Sequence, residues 1–286
     1  MKKNSLLYNI INIAFILSSI LLVDYLEIFY IDFSFGEIIF LILLFVFLHI
    51  LKFIRIYFIL LEEKISLSRI IRTYIKTTFV SIALPFKIGE IFKMYSYGKD
   101  INSYSKGIIA VIIEKFFDAV VLSVILIPYS LIKGERLSSL SIIMLVFLIT
   151  VIVIYLSFES TYYYLNKFFI AKSQSKKTLI VLNFLNQIKN IYDKAKELIK
   201  GRYILLTCLT FIIWLVETIF VYIMANFMNM KIYFMVIVNY ISDAFFGIKN
   251  TLFNNYIYLC TAIFLVSLII IYSIKAYKKG SIIWKN

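Results

Sequence analysis

Proline and glycine are scarce in this chain, which has two prolines and eight glycines among 286 residues. Both residue types interrupt regular helices, so their scarcity favours long, unbroken ones. A transmembrane barrel would need many short alternating segments separated by turns, and the sequence lacks that pattern. The predicted fold class is therefore all-α.

Charged residues are also few, at 16% of the chain, whereas hydrophobic residues make up 62%. A water-soluble domain of this composition would have too little polar surface to cover itself, so the sequence predicts an integral membrane protein. A membrane-spanning helix needs about 20 apolar residues. Six stretches meet that length: 6–23, 38–61, 108–132, 137–157, 203–225 and 256–274.

Cysteine and histidine are nearly absent. Cys208 and Cys260 lie alone in apolar segments, which supports neither a disulfide framework nor a zinc site. No metal and no other cofactor is expected. The single histidine, His49, lies within a predicted span, where a packing role is favoured and a proton relay stays an alternative.

Basic residues outnumber acidic ones by 30 to 16, a formal net charge of +14. In a soluble protein this excess would suggest nucleic-acid binding, but no recognition motif for nucleic acid is present. Lys and Arg gather in cytoplasmic loops and meet anionic lipid headgroups there. The charge therefore predicts membrane lipids, not nucleic acid, as partners.

Lys2 and Lys3 precede an apolar run without a small-x-small cleavage site, which predicts a retained first span with a cytoplasmic N-terminus.

Two apolar segments are interrupted by helix-breaking or polar residues and are not predicted to be simple membrane spans. Segment 77–95 contains Pro85 and Gly89, and the basic residues on both its sides place both ends in the cytoplasm, so it is predicted to be a re-entrant hairpin. Segment 233–253 is predicted to be a second hairpin that enters from outside, which leaves the C-terminus in the cytoplasm. The order span, span, hairpin, span then occurs twice in opposite orientations. This predicts one membrane domain with an inverted repeat, units 1–133 and 134–286, as in many transporters.

The segment 160–202 is basic and is predicted to lie on the cytoplasmic side. Apolar residues recur in it at helical spacing, which predicts an amphipathic helix lying on an anionic leaflet; a partner site is the alternative. The residues of this apolar face are Leu182, Leu185, Ile188, Tyr192, Ala195 and Ile199.

Charges inside the apolar segments need an explanation. Glu114 lies about seven residues, or roughly 10 Å, inside its predicted span, too deep for its short side chain to reach water. Lys87 or Lys93 is therefore predicted to meet Glu114 or Asp118, and a helix that restarts after Pro85 would attract an anion. Glu114 and Asp118 share one helix face and would repel each other unless a cation lay between them. A purely structural ion-pair clamp is the alternative.

These residues form an ordered pattern that resembles the flippase-like transmembrane region of lysylphosphatidylglycerol synthases. Arg55 lies in a basic and aromatic element before the pattern, within 52–61, that also resembles the family. The resemblance marks these residues as candidates for binding lipid. The pattern is Pro85-x-Lys87-x-Gly89-Glu90-x-x-Lys93-x-Tyr95, then Ser105, then Glu114-Lys115-x-x-Asp118.

The resemblance implies a plasma-membrane protein that moves an anionic or aminoacylated phospholipid, or a polyprenyl-linked lipid, between leaflets. It does not imply an enzyme, because no soluble aminoacyl-transferase domain follows residue 286. The family's glycine-rich loop in the second half is replaced by residues 245–250, which departs from the pattern. Two alternatives are a membrane enzyme acting on a lipid phosphate, with Glu90, Glu114 or Asp118 as acid or base, and a scaffold for a lipid- or glycan-modifying enzyme.

Overall fold

The computed structural model describes residues 13, 16–17, 33–84, 88–133, 137–172, 176–230, 237–241 and 251–283. Every regular element in these residues is helical, which confirms the all-α prediction. Most of the first predicted span and most of the second predicted hairpin lie outside the described residues. The helices are α1 (Phe35–Ile59), α2 (Leu67–Ala83), α3 (Ile88–Ile101), α4 (Tyr104–Lys133), α5 (Ser139–Lys172), α6 (Lys176–Ile199), α7 (Tyr203–Phe227) and α8 (Thr251–Ile283).

Three of the described helices are long and apolar enough to cross a membrane: α1, α7 and the part of α5 within Ser139–Ala171. A shorter apolar stretch, Asn255–Ile271, lies in α8. The prediction of a helical membrane protein is confirmed, whereas the number of six spans is not. Helix α1 begins at a capping box, in which the Ser34 hydroxyl accepts from the Glu37 amide and the Glu37 carboxylate accepts from the Ser34 amide.

Helices α2 and α3 form an antiparallel pair at the predicted break. Helix α2 ends at Ala83 and Leu84 is extended (φ −90°, ψ 131°), as expected of a residue that precedes proline. The chain then reverses direction. This is shown by the hydrogen bond that Thr73, near the start of α2, donates to Asp100 at the end of α3. Both outer ends of the pair therefore lie at the same end of the molecule.

Glycines set the two closest helix contacts. A Cβ atom on Gly89 would lie 2.3 Å from the Ser81 Cα atom, so α2 and α3 touch backbone to backbone beside the turn. A Cβ on Gly107 would lie 2.3 Å from the Gly98 nitrogen, which brings α3 and α4 equally close. These contacts hold α3 between α2 and α4 and fix the positions of its charged residues relative to those two helices.

Helix α5 is longer than predicted. The predicted span ends at residue 157, but α5 continues without interruption to Lys172. The polar Ser157 does not break the helix, since its hydroxyl donates to the Val153 carbonyl oxygen (2.7 Å) and no proline or glycine follows before Lys172. Its 34 residues span about 51 Å, so roughly 20 Å extends beyond a 30 Å hydrocarbon layer.

Helix α6 folds back along α5. Its predicted amphipathic character is present, and the predicted apolar face is half-buried against the protein. That this helix lies on an anionic leaflet stays a prediction. The Tyr192 ring stacks on Phe158, with ring centroids 4.5 Å apart, and its hydroxyl donates to the Tyr155 carbonyl oxygen. Ala195 and Ile199 of this face pack on a buried cluster that includes Leu198. An apolar face packs on the nearest partner helix, and α5 supplies one here because it continues beyond its span.

Candidate functional site

Six charged residues from three helices meet in the interior of the molecule, and we call them the charge network. Arg55 comes from α1, near its cytoplasmic end in the predicted topology. The other members come from the α3–α4 pair held by the glycine contacts. The charge network consists of Arg55, Glu90, Lys93, Glu114, Lys115 and Asp118.

Arg55 is the centre of the charge network. One of its terminal nitrogens, Nη2, donates to Glu114 Oε1 at 2.8 Å, and the other, Nη1, donates to Asp118 Oδ1 at 2.6 Å. The side chain is only 2% exposed. Arg55 is therefore the cation that allows Glu114 and Asp118 to share one face of α4. The sequence predicted the need for such a cation, but did not identify Arg55.

Lys93 completes the environment of Glu114. Its Nζ atom donates to Glu114 Oε2 at 2.6 Å, so each oxygen of the carboxylate is bound by a different cation. The structure thus places Lys93 against Glu114, the contact that the depth of Glu114 predicted. A carboxylate inside a membrane protein that is held by two cations has no remaining need for water.

Lys115 is the most accessible member. Its Nζ lies 3.1 Å from Glu90 Oε1 and 3.9 Å from Asp118 Oδ2, and 39% of its side chain is exposed. Glu90 therefore pairs with Lys115 across the helix contact, and not with Lys93 on its own helix. The second carboxylate oxygen of Glu90 is buried and has no hydrogen-bond partner in the described part of the chain.

Two residues of α7, in the second half of the chain, also reach the charge network, and the sequence analysis missed both. The Trp214 indole nitrogen donates to Asp118 Oδ1 at 3.1 Å. The Thr210 hydroxyl accepts from Arg55 Nη1 at 3.3 Å. Their spacing of four residues places both on one face of a largely apolar helix, and this was the available signal. The charge network thus joins the two halves of the chain.

The remaining candidates have different positions. Pro85 and Lys87 lie outside the described residues. Gly89 acts through packing, because its contact with Ser81 sets the position of Glu90. The Tyr95 ring stacks on Tyr104 with centroids 5.6 Å apart, at the contact between α3 and α4. Among the residues that the structure describes, no group of three or more His, Cys, Asp or Glu side chains could hold a metal ion.

A second set of polar contacts lies at the end of the molecule where the outer ends of α2 and α3 meet, again between the two halves. Lys106 at the start of α4 binds Glu63 at 2.6 Å and Glu197 of α6 at 3.5 Å. Arg202 binds Glu62, and Lys194 donates to the Ser105 hydroxyl at 2.8 Å. Ser105 of the family-like pattern therefore lies in this set, outside the charge network.

We expect the Lys106 contacts to make a small contribution to stability that depends on pH. Partial burial lowers the pKa of Lys106, but the hydrogen bond and charge of Glu63, and then Glu197, raise it above its ordinary value of 10.5. A group whose pKa is raised in the folded state contributes its full stabilisation below the ordinary pKa. It loses this contribution as pH rises above the ordinary value and through the raised one. Lys106→Gln should lower stability by about 0.2–1 kcal/mol at pH 7. Melting curves of both proteins should converge above about pH 10.5; a constant difference up to pH 12 would contradict this.

With this geometry established, comparison with known proteins gives one result. Residues 11–248 match the family described as the lysylphosphatidylglycerol synthase TM region. The chain belongs to this family. The match extends from the first predicted span into the second half, well beyond the pattern of Pro85 to Asp118 that carries the resemblance. No curated protein and no solved structure matches the chain significantly. The chain is thus a membrane protein of a family linked to lipid modification or translocation.

Proposed function

We propose that this member of the lysylphosphatidylglycerol synthase TM family is a lipid flippase, or assists one, and that the charge network receives the lipid headgroup. The lipid is an anionic or aminoacylated phospholipid, or a polyprenyl-linked lipid. The observation that carries the proposal is the unequal burial of the three cations. The side chains of Arg55 and Lys93 are buried against carboxylates, at 2% and 7% exposed, whereas Lys115 is 39% exposed and has the longest ion-pair distances of the charge network.

The exchange of partners at Lys115 is chemically simple. A phosphate oxygen is an acceptor of the same kind as a carboxylate oxygen and would replace Glu90 or Asp118 at the ammonium group. Arg55 and Lys93 would keep the remaining carboxylate charge compensated while the lipid is bound. An anionic headgroup would thus enter the membrane interior beside protein cations, which lowers the cost of moving it.

The shape of the α2–α3 pair supports a transport role. Both outer ends of this pair lie at the same end of the molecule, as a re-entrant hairpin requires. We propose that it enters the membrane from the cytoplasm, that the chain termini are cytoplasmic, and that units 1–133 and 134–286 form an inverted repeat. Broken helices that meet near the midplane of such repeats are typical of transporters.

A role as a scaffold is a second candidate, favoured by α6 and the C-terminal part of α5 along which it packs, which we call the α5–α6 arm. Segment 160–202 has nine basic and two acidic residues, a net charge of +7 and half that of the whole chain. Large apolar side chains are exposed on it, as at protein interaction sites. The arm would then recruit a lipid- or glycan-modifying enzyme. These exposed side chains are Tyr163, Tyr164, Ile170, Leu179, Ile180 and Phe184.

The proposed function is tested with Lys115→Gln. The variant should fold with some loss of stability, because Glu90 loses its cation, but it should lose lipid movement between leaflets in proteoliposomes. Stabilisation by anionic lipid should also fall, by up to about 1.4 kcal/mol for a tenfold loss of affinity. The matched control is Lys196→Gln, which breaks an exposed Lys–Glu pair of 2.6 Å in the α5–α6 arm. It should keep both properties.

Leaflet-resolved lipid assays and melting with and without phosphatidylglycerol provide the two measurements. Equal lipid-induced shifts in the wild type and Lys115→Gln would favour the structural clamp. Chemically altered lipid would favour an enzyme, and a wild type that neither moves nor alters lipid would favour the scaffold.

A further inference from the structure

A second ion pair lies inside the molecule, apart from the charge network. Lys52 Nζ of α1 lies 2.7 Å from Glu217 Oε2 of α7. Within the described residues, no hydrogen bond or ion pair connects it to the charge network. Glu217 is the only acidic residue in a 25-residue apolar helix, a signal that the sequence analysis did not use.

This pair lies deeper in the predicted membrane than Arg55. Glu217 follows the start of α7 by 14 residues, or about 21 Å, which places it near the middle of that helix. Lys52 lies one turn farther than Arg55 from the cytoplasmic end of α1. A charge near the bilayer centre costs at least about 2.5 kcal/mol even on insertion scales. Apolar residues of similar volume often replace a buried ion pair without loss of stability, so stability alone does not account for it.

The surroundings of the pair are suited to an additional polar ligand. The side chains of Lys52 and Glu217 are 20% and 11% exposed, so the pair is less sealed than Arg55. His49, one turn away on α1, shares its Nδ1 atom with the Tyr74 hydroxyl at 2.9 Å. Its Nε2 atom is buried and has no hydrogen-bond partner among the described residues. His49 itself is 7% exposed, and its ring packs against Phe45 and Phe264.

We infer that Lys52, Glu217 and His49 form a second binding site for the phosphate of a lipid headgroup, deeper in the membrane than the charge network. This inference rests on the proposed function. Lys52 binds the phosphate, Glu217 is the carboxylate that the phosphate replaces, and His49 Nε2 supplies a further hydrogen bond. The headgroup then passes along α1 from Arg55 and Lys115 to Lys52. Carboxylates compete with the phosphate at each step and prevent it from being held too tightly: Glu90 and Asp118 at Lys115, and Glu217 at Lys52.

The first variant to test is Glu217→Gln, which removes the competitor and keeps Lys52. Phosphatidylglycerol should then stabilise the protein at about tenfold lower concentration than in the wild type, and lipid movement should slow because release is slower. Diacylglycerol, which lacks phosphate, should show no such gain. An equal gain with inorganic phosphate would support the phosphate site and assign it to a free anion. Unchanged or weaker stabilisation by phosphatidylglycerol would overturn the inference.

The second variant, Lys52→Met with Glu217→Leu, keeps the charge balance and should fold as well as the wild type. It should lose lipid movement, yet retain the part of the phosphatidylglycerol stabilisation that depends on Lys115. Replacing the exposed Lys196 and Glu159 by Met and Leu is the matched control and should move lipid normally. Normal movement by the Lys52 and Glu217 double variant would overturn the inference. If the wild type moves no lipid, the melting data still decide whether the second site binds phosphate, so the two failures are distinguishable.

Discussion

Replacing Glu114 with glutamine is expected to destabilise the protein by about 3–5 kcal/mol, because it leaves Arg55 and Lys93 buried without their shared counter-charge. Asp118 would remain as a partner for Arg55, but Lys93 has no second carboxylate within ion-pair distance in the described residues. Thermal or denaturant unfolding in detergent measures the loss. Glu159→Gln, in the exposed α5–α6 arm, is the control and should change stability little.

Lys93→Met should also destabilise the protein, since Glu114 then keeps only Arg55. The two changes act on one ion pair, so the double variant should lose less than the sum of the single losses, with a coupling of about 0.5–3 kcal/mol. Strictly additive losses would show that Lys93 and Glu114 do not interact in the folded protein.

Replacing Gly89 with alanine is the second change with a large expected effect. The added Cβ would lie 2.3 Å from the Ser81 Cα atom and 2.7 Å from its nitrogen, and neither backbone atom can turn away as a side chain can. Helices α2 and α3 would have to separate. Overpacking of this kind costs about 1–3 kcal/mol or more, and here it also displaces Glu90 and Lys93 from α4.

Gly36→Ala is the matched control, because a Cβ there meets nothing within 4 Å and the position is helical. It should be neutral or stabilise by about 0.5–1 kcal/mol. We expect Gly89→Ala to lower both the melting temperature and lipid movement, and Gly36→Ala to lower neither. Normal melting of Gly89→Ala would mean that α2 and α3 are not in backbone contact.

The local features of the fold follow from the sequence. Hydrophobic length and the scarcity of proline and glycine predicted the helices, and Pro85 predicted the end of α2, because a residue before proline avoids helical backbone angles. The depth of Glu114 predicted that it needs a cation, and Lys93 was one of two candidates. The end of α5 was predicted wrongly. Falling hydropathy indicated an end at residue 157, but the helix continues to Lys172.

The partners in the charge network were decided by tertiary structure. Arg55 lies 59 residues before Glu114, and Trp214 lies 96 residues after Asp118. Spacing along one helix predicts neighbours on that helix, but not which other helix packs against it. Glu90 could pair with Lys93 or with Lys115 on charge alone, and the backbone contacts of Gly89 and Gly107 bring it to Lys115. The sequence by itself thus determined which charges need partners, whereas helix packing decided which residues supply them, because contacts between distant segments depend on how the whole chain packs.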